Sequence, residues 1–331
     1  MDPVTHTLIG IGMANAFFRR RIGPEAVPIL AIASNLPDVD VLAHLSGDPT
    51  AILMRRTFGH SILMLPFWAM IFALTARYFY KDLRVRVLFG LAALGMATHL
   101  FFDLVNSFGV VLFWPFSDWR PELAIVFIID LFLTGFLAAP LLLCLIRRVR
   151  PHLVWLSQVS MACVAAYLLL CGVNRILAQR ALAAEVDGLG AMPSFSYVFP
   201  EPLGPHRWRG VTREGGIYHI YLIHTFSGRV EPKGAVQTQV GDPSVERARG
   251  TALARRIEWF FKAPVWTVRR DPPGSQTPAN RPIEVSVYDL RFKSLVIDRG
   301  SPFEYRFRIS SEGRVVGLGW RGGREVLTFP D

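Results

Sequence analysis

Apolar positions are unevenly distributed along the chain, in long runs up to residue 172 and in short, partly alternating ones beyond it. Residues 61–80, 87–105, 123–146 and 153–172 are almost continuously apolar. Each reaches the roughly 20 residues that a helix needs to cross a bilayer. They predict four spanning helices. Two shorter segments precede them, 5–18 (THTLIGIGMANAFF) and 26–36 (AVPILAIASNL), and both fall short of a span. They predict a helical hairpin, in which Gly10, Gly12 and Ala14 give the first helix a small face for close packing. After Arg175 the pattern changes. Residues 177–200 are of mixed composition and are expected as a linker. The runs 216–226, 257–268, 283–293 and 303–310 are rich in β-branched and aromatic residues, with Pro, Gly and charged turns between them, and predict strands. The expected architecture is an α-helical integral membrane domain over 1–176 and a β-rich soluble domain over 201–331, joined by that linker.

Composition sharpens this picture. The mean hydropathy is +0.33 and only 19% of residues are charged, which is too apolar for an ordinary soluble protein. The formal net charge is +10. From Leu177 onward 22 Lys/Arg stand against 16 Asp/Glu, a surplus of six. A basic soluble part beside a membrane suits anionic headgroups, and with no nucleic-acid motif present nucleic acid is not an expected partner. Cys144, Cys163 and Cys171 lie inside apolar runs without metal spacing, so no disulfide framework is expected. The first residues lack the positive region of a cleavable signal peptide and are expected to belong to the mature chain.

Charge also predicts a topology. Arg19, Arg20, Arg21, Arg77, Lys81, Arg84, Arg86, Arg147, Arg148 and Arg150 fall at one set of predicted helix ends, and Arg55, Arg56, Arg120 and Arg175 at the other. The positive-inside rule makes the first set cytoplasmic. An inner-membrane, multi-pass protein results, with its β-rich domain outside. His6, Asp38, Asp40, His60, His99 and Asp103 then all fall at the extracytoplasmic ends.

These six residues carry the candidate chemistry. His99 and Asp103 are four apart on a predicted helix and share a face, about 6 Å apart at Cβ. Imidazole nitrogen and carboxylate oxygen together suit zinc and similar divalent ions. In an apolar helix each is costly to bury without a partner. Asp38 and Asp40 follow Pro37, and if the segment is extended both carboxylates point to one side. Either is a candidate ligand or general base. His60 opens a predicted spanning helix, and Asn106 continues the His99/Asp103 face. Arg56 is a candidate for gripping a substrate phosphate through two parallel hydrogen bonds. Asp130 lies about two turns inside a predicted span and requires a partner there.

At Thr5-His6, Leu36-Pro37-Asp38-Val39-Asp40, Arg56…His60-Ser61, His99-x3-Asp103 and Leu112-Phe113-Trp114-Pro115-Phe116-Ser117, the chain resembles the bacterial YdjM/YbcI-type membrane-bound metal-dependent hydrolases. That family is related by pattern to zinc phospholipase C and P1-type nucleases. The resemblance implies a phosphoester or other ester hydrolase working with one or two zinc-like ions. It covers most of residues 1–145. Where such proteins commonly read His-Arg-Gly-x-Thr-His-Ser, this chain has Arg55-Arg56-Thr57-Phe58-Gly59-His60-Ser61, with an arginine in a histidine's place. The expected function is metal-dependent hydrolysis of a membrane-associated ester, with a phospholipid-type phosphodiester first among substrates. The alternative is a metal-stabilised membrane scaffold or regulator without turnover. A transporter is disfavoured, because the polar groups cluster at one end instead of lining a path.

Overall fold

Asp2 and Pro3 start the first helix, α1 (Pro3–Met13), which continues as a π-helical turn through Phe18. The Asp2 carboxylate accepts from the Thr5 backbone N–H, and Pro3 occupies a position where its missing N–H costs nothing. A computed structural model of the protein describes residues 1–46, 51–270, 282–297, 301, 303–320 and 327–328. It divides into two units, one made of Met1–Leu42, Arg55–Ile176 and Pro200–His206, the other of Ala43–Met54, Leu177–Phe199 and Arg207–Asp331.

The first unit is helical. After α1 come α2 (Ala26–Ala33), α3 (Leu65–Phe79), α4 (Val85–Leu104), α5 (Leu131–Leu143) and most of α6 (Leu153–Gly188). Small residues bring α1, α2 and α4 together. A Cβ on Gly10 would lie 2.6 Å from the Leu30 carbonyl oxygen, and one on Gly95 would lie 2.9 Å from Ala33 Cβ. Gly10→Val is therefore expected to push α1 off α2 and cost about 1–3 kcal/mol of stability. A Cβ on Gly90 meets nothing within 4 Å. Gly90→Ala should accordingly be neutral or slightly stabilising through helix propensity. Thermal unfolding in detergent checks both. An unchanged midpoint for Gly10→Val would show that the close approach is not needed.

The turn between α3 and α4 carries the cations at one end of this unit. Ile22 and Glu25, just after Arg19–Arg21, line a cavity of about 340 Å³ with Phe79–Leu83 of that turn. Gln158, early in α6, donates to the Ala16 carbonyl at the same end. His60 and the His99/Asp103 pair lie at the opposite ends of α3 and α4.

Two of the described helices are long and apolar enough to cross a membrane, α4 and the run Arg150–Gly188. The other two expected spans are shorter, α3 with 15 residues and α5 with 13. At the first, Ser61 is held by the Trp114 carbonyl and Pro66 starts the helix only at Leu65. At the second, residues 123–126 are non-helical, with Ala124 at φ +47, and bond to the end of α4, Leu123 N–H to the Leu104 carbonyl at 2.7 Å and Ile125 N–H to that of Val105 at 2.8 Å. Continuous apolar sequence does not by itself fix a helix, and here the hydrogen bonds to α4 take its place. Asp130 corrects accordingly. It sits at the helix start instead of two turns inside, capping α5 through Leu133 N–H and accepting from the Tyr167 hydroxyl at 2.8 Å. Large apolar side chains such as Leu74, Leu142 and Leu169 stay 58, 62 and 72% exposed, as suits a lipid-facing surface.

The second unit begins on α6 itself. The expected linker 177–200 is in fact the last turns of α6 followed by β1 (Phe195–Pro200). Ala178, Leu182 and Val186 recur every four residues and pack on Trp208, Tyr221 and Ile223. β1, β2 (Arg207–Glu214), β3 (Ile217–His224) and β4 (Arg229–Gln237) form one sheet in sequence order. Helices α7 (Pro243–Arg249) and α8 (Ala252–Phe260) lead to the second sheet. It orders β5 (Pro264–Arg269), β6 (Ile283–Asp289), β7 (Glu304–Ile309), β8 (Val315–Trp320) and β9 (Leu327–Thr328) in sequence. The expected strand 257–268 is split. Thr251 caps α8, whose Ala254, Ile257 and Phe260 share a buried face at a spacing of three, and the strand starts only at Pro264. The strands expected at 216–226, 283–293 and 303–310 correspond to β3, β6 and β7. Most of the turn between β5 and β6, residues 271–281, lies outside the described residues.

Candidate metal centre

Three elements of the first unit bring their polar side chains together around Asp103. His99 and Asp103 come from the last turns of α4, Asp38 from a 3-10 segment (Leu36–Ser46), and His60 from the turn before α3. One ligand atom from each of Asp38, His60, His99 and Asp103 lies within 4.8 Å of all the others. His60 Nε2 is 3.0 Å from His99 Nε2, 3.2 Å from Asp103 Oδ2 and 3.8 Å from Asp38 Oδ1. His99 Nε2 is 3.5 Å from Asp103 Oδ2. A tetrahedron of metal–ligand bonds about 2.0–2.2 Å long has edges of about 3.3–3.6 Å. The four separations given, 3.0–3.8 Å, bracket those edges, so the cluster could hold one such ion.

The hydrogen bonds behind the histidines decide which atoms face inward. His99 Nδ1 is 2.7 Å from the Ser34 carbonyl oxygen, which only accepts, so Nδ1 carries the proton. His60 Nδ1 is 3.0 Å from Asp40 Oδ2 and donates to that carboxylate. In neutral rings both Nε2 atoms are then bare lone pairs facing each other at 3.0 Å. That arrangement is repulsive unless a proton or a metal ion lies between them. Backing of ligand histidines by a carbonyl and a carboxylate is the usual outer layer of a metal site.

The donor set passes a second check. Asp38 Oδ2 is a buried polar atom with no hydrogen-bond partner among the described residues, and so is Nδ1 of His6 beside the cluster. A buried group left so is costly unless something satisfies it. Two imidazoles and two carboxylates fit a borderline divalent cation. Burial pushes the His6 imidazole down to about 3, so it is neutral, with its Nε2 3.2 Å from Asp103 Oδ1 and its ring stacked 3.7 Å from that of His99. Burial opposes a charged ring at His60, but hydrogen bonds to Asp103 and Asp40 hold its pKa above the ordinary value. Metal binding needs that nitrogen deprotonated, so a bound cation and the ring proton exclude each other.

Among the residues expected from sequence, Asp38, His60, His99 and Asp103 form the cluster and His6 stacks directly behind it. Asp40 stands apart from Asp38. The segment is 3-10 helical instead of extended, and at three residues per turn positions i and i+2 diverge by about 120°. Both Asp40 oxygens are taken, Oδ2 by Thr57 N–H and His60, Oδ1 by Gly59 N–H at 2.6 Å. Gly59 is required there, since a Cβ would come within 2.2 Å of the Pro37 carbonyl oxygen. Arg56 does not reach outward to a substrate. Its Nε and Nη2 chelate Asp103 at 2.7 and 2.8 Å, and Nη1 donates to Asn106 at 2.9 Å. The Met1 amino group also contacts Asp103. Sequence reasoning missed the Ser34 carbonyl, because a backbone acceptor leaves no trace in residue identity.

The profile of a family described as YdjM inner membrane protein matches residues 1–178. The chain is 29% identical over 140 residues to a Bacillus subtilis (strain 168) protein called uncharacterized protein YfhP, covering 40% of this chain. It spans 43% of that relative's length. No solved structure matches.

Proposed function

This chain belongs to the YdjM inner membrane protein family, and from that premise we propose that it is a membrane-bound, metal-dependent hydrolase. Its substrate is a membrane-associated ester, with a phospholipid-type phosphodiester first. The observation that supports this reading is the pair of outward-pinned histidines with opposed Nε2 atoms 3.0 Å apart. Asp38, His60, His99 and Asp103 would hold the ion, with zinc the best match to two nitrogens and two oxygens. A cation held there supplies Lewis acidity, polarising a phosphoryl or carbonyl oxygen and lowering the pKa of water toward about 7.

The chain's own residues do the rest. Ser34 and Asp40 fix the two histidine tautomers. Arg56 fixes the Asp103 carboxylate in plane. Asp38 is the cluster member on the exposed side, with 14% of its side chain accessible against none for the other three. Its carboxylate is the group placed to accept the proton of the attacking water. The charge distribution supports a multi-pass placement with this site and the C-terminal unit on the extracytoplasmic side, where headgroups are the nearest esters.

The test is hydrolysis of phosphodiester and carboxylic ester probes by detergent-purified protein, with and without added zinc. Turnover that follows metal content supports the enzyme. A second reading, a metal-stabilised scaffold, is favoured by the complete burial of His60, His99 and Asp103, since structural sites are closed. Bound metal without turnover on any probe would select it. Asp40→Asn is expected to weaken metal affinity about 10–100-fold by loosening His60. Competition against a chromophoric chelator measures this, and unchanged affinity would remove Asp40 from the site.

A further inference from the structure

We propose that Arg55 holds the anionic oxygens of the substrate at the rim of the cluster, which makes the substrate class a negatively charged phosphoester and not a neutral carboxylic ester. This rests on the hydrolase reading above and assigns to that site the residue that selects what it takes.

Among the four cluster side chains, exposure is confined to Asp38. His60, His99 and Asp103 side chains are fully buried, and Asp38 is 14% exposed. Arg55 stands beside it, 29% exposed, with Nη2 3.4 Å from Asp38 Oδ1. So long a contact leaves the guanidinium largely unspent, and its other nitrogens have no partner among the described residues. The neighbouring cation is spent. Arg56 has three nitrogens on Asp103 and Asn106, and its guanidinium lies 4.5 Å from the Phe108 ring centre.

The backbone explains why adjacent arginines serve opposite sides. Arg56 has φ +61, in the left-handed region that side chains other than glycine's rarely adopt. The segment is pinned on both sides of that turn. The Arg55 carbonyl accepts from Arg120 Nη2 at 2.9 Å, and the Arg56 carbonyl from Val111 N–H at 2.9 Å. Arg56 is thereby sent inward to Asp103 and Arg55 to the rim beside Asp38. A partly exposed guanidinium beside a candidate cation site matches two oxygens of a tetrahedral oxyanion. A neutral ester carbonyl offers one oxygen and no charge, so it gains little from the same fork.

The experiment uses the full chain in detergent, zinc-loaded, as wild type, Arg55→Ala and Arg55→Lys. Binding of inorganic phosphate is followed by calorimetry. Zinc content and thermal midpoint are read on the same samples, and KM and kcat are measured on bis(4-nitrophenyl) phosphate and 4-nitrophenyl acetate. We expect Arg55→Ala to keep its zinc and midpoint while its phosphate Kd rises about 10–100-fold, the worth of a charge-assisted contact. Its preference for the anionic probe should fall through KM more than kcat, and lysine should recover part of both. Wild-type phosphate affinity in zinc-loaded Arg55→Ala would overturn the proposal. So would loss of zinc in that variant, since Arg55 would then only be holding Asp38. Should the wild type turn over neither probe, an Arg55-dependent phosphate Kd would still support the anion site while the hydrolase reading fails.

Discussion

Purified His99→Ala protein is expected to come out of the membrane without its metal, and with hydrolysis of any phosphodiester probe reduced to background. His99 supplies one of four donors, and its ring is fixed by a 2.7 Å bond to the Ser34 carbonyl and by stacking on His6. Asp40 cannot take its place, because it is fully engaged with Thr57, Gly59 and His60. Losing an outer-layer partner costs about 10–100-fold in affinity, and losing a direct ligand costs more. The fold should tolerate the change better than the site does. The ring contributes to a polar cluster, while the α1–α2–α4 contact relies on Gly10, Gly95 and Ala33 nearby. Metal analysis beside a thermal scan separates the two effects. His219→Ala, on β3 in the other unit, serves as the control that should keep its ion. Full metal content in His99→Ala would remove the proposed centre, and the His99/Asp103 pair would become a buried polar contact.

The sequence made the site's members legible more readily than their roles. The spacing of four between His99 and Asp103 is local, and an α-helix converts it directly into a shared face. Asp38 and Asp40 show the limit of such reasoning. Extended and 3-10 backbones place i and i+2 on the same side or well apart, and Leu-Pro-Asp-Val-Asp does not announce which. The outcome sends Asp38 to the cluster and Asp40 to the back of His60. Arg56 was legible as a guanidinium near the site, but not its direction, which depends on a left-handed residue and on Asn106 fifty positions away. At the level of the fold, the basic runs marked one end of the helical unit correctly. The apolar runs overstated α3 and α5, because residues 61–64 and 123–130 are buried or apolar for reasons other than being helical. In the second unit, α8 hid inside a strand-like run, since Ile257-Glu-Trp-Phe-Phe reads as β-prone while its neighbours Ala252–Arg256 favour helix.

Arg56 should matter to stability as much as His99 does to metal binding. Its side chain is 7% exposed and grips a carboxylate that is wholly buried. Removing one partner of a buried ion pair leaves an uncompensated charge, at a cost of about 3–5 kcal/mol. Arg56→Met, which keeps much of the side-chain volume over Phe108, is expected to lose about that much in the metal-free protein. Arg56→Lys should recover only part, because an ammonium supplies the charge but cannot donate along two parallel lines to Oδ1 and Oδ2 while also reaching Asn106. The metal state then discriminates between pairing and packing. A divalent cation offsets the Asp103 charge from the other side, so the penalty of Arg56→Met should shrink when the protein is loaded. A packing loss would be the same in both states. Chemical unfolding in detergent, with metal and with chelator, gives the four stabilities needed. An equal penalty with and without metal would mean that Arg56 contributes bulk over Phe108 and that its bonds to Asp103 contribute little. A smaller penalty in the loaded protein would place guanidinium and metal on one carboxylate, each lowering the cost of losing the other.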